Sequence, residues 1–268
     1  MIPATWFAPL LPFAMLAALA ACHGSQASSA VPPQPASPPP SPAVSPPVFE
    51  QFGTMREVMH DGSTGGRVAL AHVHERGCYA VGALAGLAGE VTVDDGVVYV
   101  ERCPGSTPGL GTFPPESPLP QDQQATLLSV ARVAAWRDVP LADAVDDAAL
   151  TTAVRNAIGA PQQVGEPQPP VPFRVEGTVA EVTVHCVRGQ SPTDPADRSK
   201  LPWTRTTGQP VPVTLIGFYA PGREGELTHH GTALHVHAVL LIEGRRTAAH
   251  ADKFRLQPGA RLQLPAAR

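Results

Sequence analysis

Two histidines stand two residues apart in Leu234-His235-Val236-His237-Ala238, inside an apolar, β-prone run. In a strand, residues i and i+2 leave the same face, so both imidazoles can converge on one ion. The run ends at Glu243-Gly244-Arg245-Arg246, and a returning strand brings His250 opposite positions near 239, within a residue or two of His237. Three imidazole nitrogens with an open fourth position are the ligand set of a catalytic zinc ion, Zn2+. Such a metal acts as a Lewis acid or lowers the pKa of bound water. A second pair, His72-Val73-His74, reads as an exposed edge strand or loop. No serine or cysteine nucleophile motif supports covalent chemistry, and a zinc hydrolase stays open as one reading.

The elements that must position these residues follow from periodicity. Thr54 to His60 has a short helical pattern, and Asp61 to Gly66 is turn-forming. Val68 to His74 and Tyr79 to Leu84 are β-prone, and Glu90 to Val93 with Val97 to Glu101 flank Asp94-Asp95-Gly96, a hairpin signal. Residues 102–122 form a Pro/Gly-rich loop, after which Gln124 to Trp136 and Leu141 to Ile158 have Ala-rich helical periodicity, the second opened by Pro140. A second β block covers Phe173 to Val187, Val211 to Phe218, Thr232 to Ile242, Thr247 to Arg255 and Arg261 to Leu264. The expected class is α+β, with two β-sheet-rich halves and helices between them.

Composition limits the partners. The chain has 268 residues and a formal net charge of −4, with 19 Lys and Arg and none before Arg56. No basic tract can neutralise a run of phosphates, so nucleic acid is excluded as the expected partner. Residues 1–21 read as a signal peptide, because the apolar run is short and broken by Pro3, Pro9 and Pro12. It ends in Leu19-Ala20-Ala21-Cys22, which looks like the lipobox of bacterial lipoproteins, with Cys22 receiving the lipid. Residues 22–48 then form a charge-free, proline-rich tether that cannot bury enough apolar area to fold. His23 follows the cysteine where an Asp would mark inner-membrane retention, so the expected location is the periplasmic side of the outer membrane. Residues 49–268 are the folded domain. In an oxidising compartment Cys78 and Cys103, which flank the first hairpin region, are the expected disulfide pair, with buried free thiols as the other reading.

Several separated motifs resemble the α-acetolactate decarboxylase family. Thr214-Leu215-Ile216-Gly217-Phe218-Tyr219-Ala220-Pro221, Leu234-His235-Val236-His237 and Ala249-His250-Ala251-Asp252 resemble its T-x-x-G-F-x-x-P, H-L-H-F and G-G-H-V-x-D signature in order and approximate spacing. Upstream, Val81 to Glu90 with Asp95-Gly96-Val97-Val98-Tyr99, and Phe173-Arg174-Val175-Glu176-Gly177-Thr178-Val179, are similar to the family's other motifs. The likeness spans about residues 53–265. It implies that His235, His237 and His250 bind zinc, that Arg174 holds the substrate carboxylate, and that Glu90 takes part in proton transfer. The implied substrate is a small 2-hydroxy-3-oxo acid and the implied assembly a homodimer. Read without the resemblance, Arg174 is a surface strand residue or half of an ion pair, and Glu90 the solvent-facing end of a hairpin.

The sequence also departs from the pattern. The family's second catalytic glutamate lies beyond the final L-x-L-P strand, where this sequence reads Leu264-Pro265-Ala266-Ala267-Arg268. Glu226, His229 and His230, ahead of the histidine strand, are candidate substitutes. The alternative function is a non-catalytic lipoprotein that uses the three histidines to bind a metal or small ligand.

Overall fold

The β-prone runs pair into two antiparallel sheets, one ending at Arg132 and one beginning at Trp136. The computed structural model describes residues 46–102, 111–115, 117–120, 122–159, 168–189 and 203–266. The expected signal peptide, Cys22, most of the tether and Cys103 lie outside the described residues. No helix among the described residues is long and apolar enough to cross a membrane.

The first sheet contains β1 (Val48–Phe52), β2 (Val68–Ala69), β3 (Cys78–Leu84), β4 (Glu90–Asp94), β5 (Val97–Glu101), β6 (Gly111–Phe113) and β7 (Gln124–Arg132). Its order is β1-β7-β3-β4-β5-β6, with β2 added against β7. Between β1 and β2 lies α1 (Met55–Met59), where Thr54 Oγ1 accepts from the Glu57 N–H at 3.2 Å and Glu57 Oε2 accepts from the Thr54 N–H at 2.8 Å. That reciprocal box satisfies two donors that a helix start leaves unpaired. The β4–β5 hairpin forms on Asp95-Gly96, both at positive φ as a two-residue turn requires. Along β4, Val91 and Val93 pack into the core of this half with Val98, Leu128 and Val130. Glu90, Thr92 and Asp94 therefore leave the other face, toward the second sheet.

Two expectations for this region are corrected. Gln124 to Trp136 is not a helix, because its residues form β7 and then β8 (Trp136–Pro140) of the second sheet. β7 is central, with Leu128 and Val130 on one buried face and Leu127 and Ala131 on the other. A strand covered on both sides shows no apolar–polar alternation, and its alanines imitate a helix. Val68 to His74 keeps only β2 as strand before tightening into a 3₁₀ turn at Leu70–Val73.

The second half adds β9 (Val145–Asp146), α2 (Asp147–Ile158), β10 (Val171–Cys186), β11 (Trp203–Thr207), β12 (Val211–Tyr219), β13 (Leu234–Ile242), β14 (Arg245–Leu256) and β15 (Arg261–Pro265). The second expected helix is shortened: Asp146 caps it by accepting from the Ala149 N–H at 2.8 Å, and Pro140 closes β8 instead of opening α2. Leu141 and Val145 are drawn into the core ahead of the helix, and the Leu141 N–H donates to Ala260 O at 3.1 Å. The sheet runs β8-β15-β10-β12-β13-β14-β9, with β11 on β10. β10 is 16 residues long, pairing with β12 over 171–179 and with β14, through two irregularities, over 179–185. β10, β12, β13 and β14 thereby close into a ring of pairings. Tyr79, Val81 and Ala131 of the first sheet pack on Ile216 and Phe218 of the second. The α+β reading with two sheet-rich halves holds, α2 being the longer of its two α-helices among the described residues.

Candidate functional site

The closed strand ring sets the histidines in register. His237 on β13 pairs directly with His250 on β14, and His250 pairs in turn with His185 on β10. The sequence placed His250 nearer position 239; the two-residue turn Glu243-Gly244, both at positive φ, shifts the register by two and puts it squarely opposite His237. His235 lies two residues before His237 on the same face. Donor atoms of His235, His237 and His250 all lie within 4.8 Å of one another, and all three residues are buried.

The bonding of these rings fits a cation. His237 Nδ1 is 2.9 Å from the Thr92 hydroxyl, and the Leu227 backbone holds His235 by a hydrogen bond. The other nitrogens, His237 Nε2 and His235 Nδ1, are buried without a hydrogen-bond partner. Orphaned buried nitrogens are rare and point to a ligand that completes them. Burial, then the neighbouring imidazoles, pushes His235 down to about 3 and His237 and His250 well below the usual histidine range. The rings are therefore neutral, the form that ligates a metal.

A cavity of about 210 Å³ opens beside them, lined by Glu90, His185, His229, His235 and His250 and by an apolar wall that includes Met55, Val58, Met59, Leu87 and Leu127. Glu90 is 4% exposed, not the solvent-facing end of a hairpin. Its Oε1 accepts from the Val187 N–H at 2.9 Å, and its Oε2 is 3.8 Å from His237 Nε2. Burial raises its pKa to about 7 against the opposing effect of His185. His185 Nδ1 is 2.7 Å from Asp252 Oδ1; although burial opposes it, that carboxylate raises the imidazole's pKa. His229 comes from the loop between β12 and β13, with its ring 4.8 Å from that of His250. The same loop supplies the Glu226 and Gly225 carbonyls that accept from the Met55 and Arg56 N–H groups, fixing α1 against the cavity.

The structure brings Glu90 and the three expected histidines together but leaves Arg174 out of the cavity lining. Arg174 Nε and Nη2 fork onto Asp94 at 2.8 and 3.1 Å, and its Nη1 donates to Glu176 at 2.5 Å and Gln263 at 2.8 Å. The ion-pair reading describes its observed contacts. Glu226 pairs with Arg223 at the surface at 2.7 Å. His72 is exposed and bonded to Glu50, and His74 is half-buried and bonded to the Pro114 carbonyl. Cys78 is a buried free thiol, pushed up to about 12 by burial. Sequence reasoning missed Thr92 and the His185–Asp252 pair. Thr92 had a signal in the period-2 run from Glu90 to Asp94, whereas His185 depends on the bend of β10.

The profile of the family described as Alpha-acetolactate decarboxylase matches residues 49–265. No match is found among curated proteins. Among solved structures, α-acetolactate decarboxylase from Bacillus subtilis strain 168 is similar at 16% identity and TM-score 0.59, covering 82% of this chain and 86% of that one. Acetolactate decarboxylase from Bacillus subtilis subspecies spizizenii is similar at 18% identity and TM-score 0.59, with coverage of 82% and 86%. A Staphylococcus aureus protein of unknown function, described as similar to α-acetolactate decarboxylase, gives 15%, TM-score 0.57, and coverage of 81% and 84%. These likenesses agree with the two-sheet fold, and the profile spans both sheets and every residue of the histidine cluster: the chain belongs to the α-acetolactate decarboxylase family.

Proposed function

We propose that the protein is a zinc-dependent decarboxylase of acetolactate or a related 2-hydroxy-3-oxo acid, giving acetoin from acetolactate and anchored in a bacterial envelope through Cys22. The observation that carries the reading is the trio of buried imidazoles, two with orphaned nitrogens, beside a buried carboxyl in a cavity of small-molecule size. His235, His237 and His250 are the residues that would hold the metal. Zinc there supplies a Lewis acid for the negative charge that departing CO2 leaves on the substrate's adjacent oxygens.

The chain's own groups do the rest. Glu90, whose burial raises its pKa to about 7, can hold a proton near neutrality and pass it from Oε2 to the carbon that loses CO2, while the Val187 N–H fixes Oε1. His185, oriented by Asp252, is the polar group placed to meet the substrate carboxylate from the β10 side. Met55, Val58, Leu87 and Leu127 exclude water and face the substrate's alkyl groups.

The test is acetoin release from racemic acetolactate by the purified chain, with zinc measured on the same sample. Zinc near one per chain with acetoin formed above the spontaneous rate supports the reading. The second reading is a non-catalytic metal- or ligand-binding lipoprotein, favoured by the engagement of Arg174 with Asp94 instead of the cavity. Zinc bound without acetoin, and without CO2 release from related 2-hydroxy-3-oxo acids, would favour it.

A further inference from the structure

Glu90, Thr92 and Asp94 occupy alternate positions of one five-residue strand, and each makes a contact with the second half of the domain. Glu90 accepts from the Val187 N–H, Thr92 meets His237 Nδ1, and Asp94 receives the Arg174 fork. Alternate residues of a strand are about 6.6 Å apart, so the three contacts are rungs on one rigid ladder. On the facing sheet, Arg174 pairs with Ile216, and Ile216 pairs with His237. Arg174 and His237 therefore share a face two strands apart, about 10 Å. Arg174 is in turn held on its own sheet by Glu176 and Gln263, so its guanidinium is a fixed post.

We infer that Arg174 is a positioning residue: its fork on Asp94 holds β4 at the height and register at which Thr92 orients the His237 ring and Glu90 reaches the cavity. A bidentate arginine–carboxylate pair suits this task because two parallel hydrogen bonds fix direction as well as distance. Both side chains are mostly buried, at 17% and 15% exposure, so solvent does little to loosen the pair. The inference rests on the reading of His235, His237 and His250 as metal ligands only where metal affinity is the readout. The ladder itself is a property of the metal-free chain.

The test uses Arg174→Gln, Arg174→Lys, Asp94→Asn and the Arg174→Gln/Asp94→Asn double variant of the full chain. In the metal-free protein, ¹⁵N NMR of labelled histidine reports whether His237 stays in one tautomer; the Thr92 hydroxyl can donate or accept, so the readout is whether a single tautomer persists, not which one. In the cobalt(II)-loaded protein, the visible spectrum and dissociation constant report ligand geometry. Arg174→Gln is expected to mix the His237 tautomers, alter the cobalt spectrum and weaken cobalt binding about tenfold, the low end of what loss of an outer hydrogen-bonding partner does. Arg174→Lys, a point charge without the fork, should fall between. The double variant, whose neutral amides can still pair, should recover part of the loss, so the effects are not additive. Arg132→Gln, which breaks ion pairs to Glu50 and Glu75, should lower stability without moving any of these signals. Unchanged tautomer and cobalt signals in Arg174→Gln would overturn the inference, and a KM for acetolactate raised at least about tenfold alongside them would make Arg174 a substrate ligand. Wild-type protein that binds no cobalt would refute the metal reading alone, and the tautomer measurement would still decide the clamp.

Discussion

His235 and His237 can serve a cation because burial keeps them neutral, and the same burial sets a pH dependence. Folded His235 titrates at about 3 against an ordinary 6.5. Between those values the unfolded chain binds a proton that the folded chain refuses, so stability falls as pH drops through that window and is full above it. His237 and His250 are shifted the same way, and the three imidazoles together outweigh Glu90 and His185, whose raised pKa values act in the opposite sense, so the denaturant midpoint of the metal-free protein should be lower at pH 5 than at pH 7.5; an unchanged or higher midpoint would contradict that balance. Substitutions should separate the roles of the cluster. His237→Ala is expected to strip zinc, whereas Glu90→Gln should lower acetoin formation by about a hundredfold or more with zinc content intact. Full zinc occupancy in the first variant, or unchanged turnover in the second, would remove that residue from its role. At this scale the sequence was legible where chemistry is local: two histidines at strand spacing announce a shared face. Thr92 and His185 were not, since a hydroxyl and a single imidazole acquire meaning only from what another strand puts beside them.

Elements decide which of those side chains meet. β13 and β14 were readable because apolar runs flank a turn signal, and only the turn's centre, Glu243-Gly244, was displaced from the expected position. β7 was misread because both its faces are buried, which erases the alternation that marks a half-exposed strand. α1 was readable from the spacing of Met55, Val58 and Met59, and it matters beyond its five residues: the same three side chains form part of the cavity wall. Thr54→Ala removes the side chain that accepts from the Glu57 N–H and should cost about 1 kcal/mol. Urea titration should show that loss as a lower midpoint at unchanged slope, with zinc content preserved. A loss of zinc in this variant would mean that α1 supports the histidine cluster itself and not only the apolar wall.

At the scale of the whole molecule, the site exists only where two sheets meet. Glu90 and Thr92 belong to the first sheet, the four strand histidines of the cavity region to the second, and Tyr79, Val81, Ile216 and Phe218 weld the two together. That docking was beyond sequence reasoning, because periodicity assigns a buried face without naming its partner. The reading of the N-terminal region as an anchor and tether is a proposal from composition alone: no Lys, Arg, Asp or Glu occurs before Glu50, and nine prolines lie between Pro32 and Pro47. One acyl-bearing cysteine with two or more chains gives stable anchoring, whereas a single chain is marginal. If Cys22 is that residue, intact protein from a bacterial host should carry incorporated palmitate and begin, by mass spectrometry, at a diacylglycerol-modified Cys22. Cys22→Ser should lose the label and accumulate as the uncleaved precursor. The domain's zinc content should not change, since the histidine cluster and its supporting β4 ladder are built from residues between Glu90 and His250. A label that survives Cys22→Ser would place the lipid elsewhere, and an unlabelled wild-type chain cleaved near Ala21 would make the domain a free periplasmic protein.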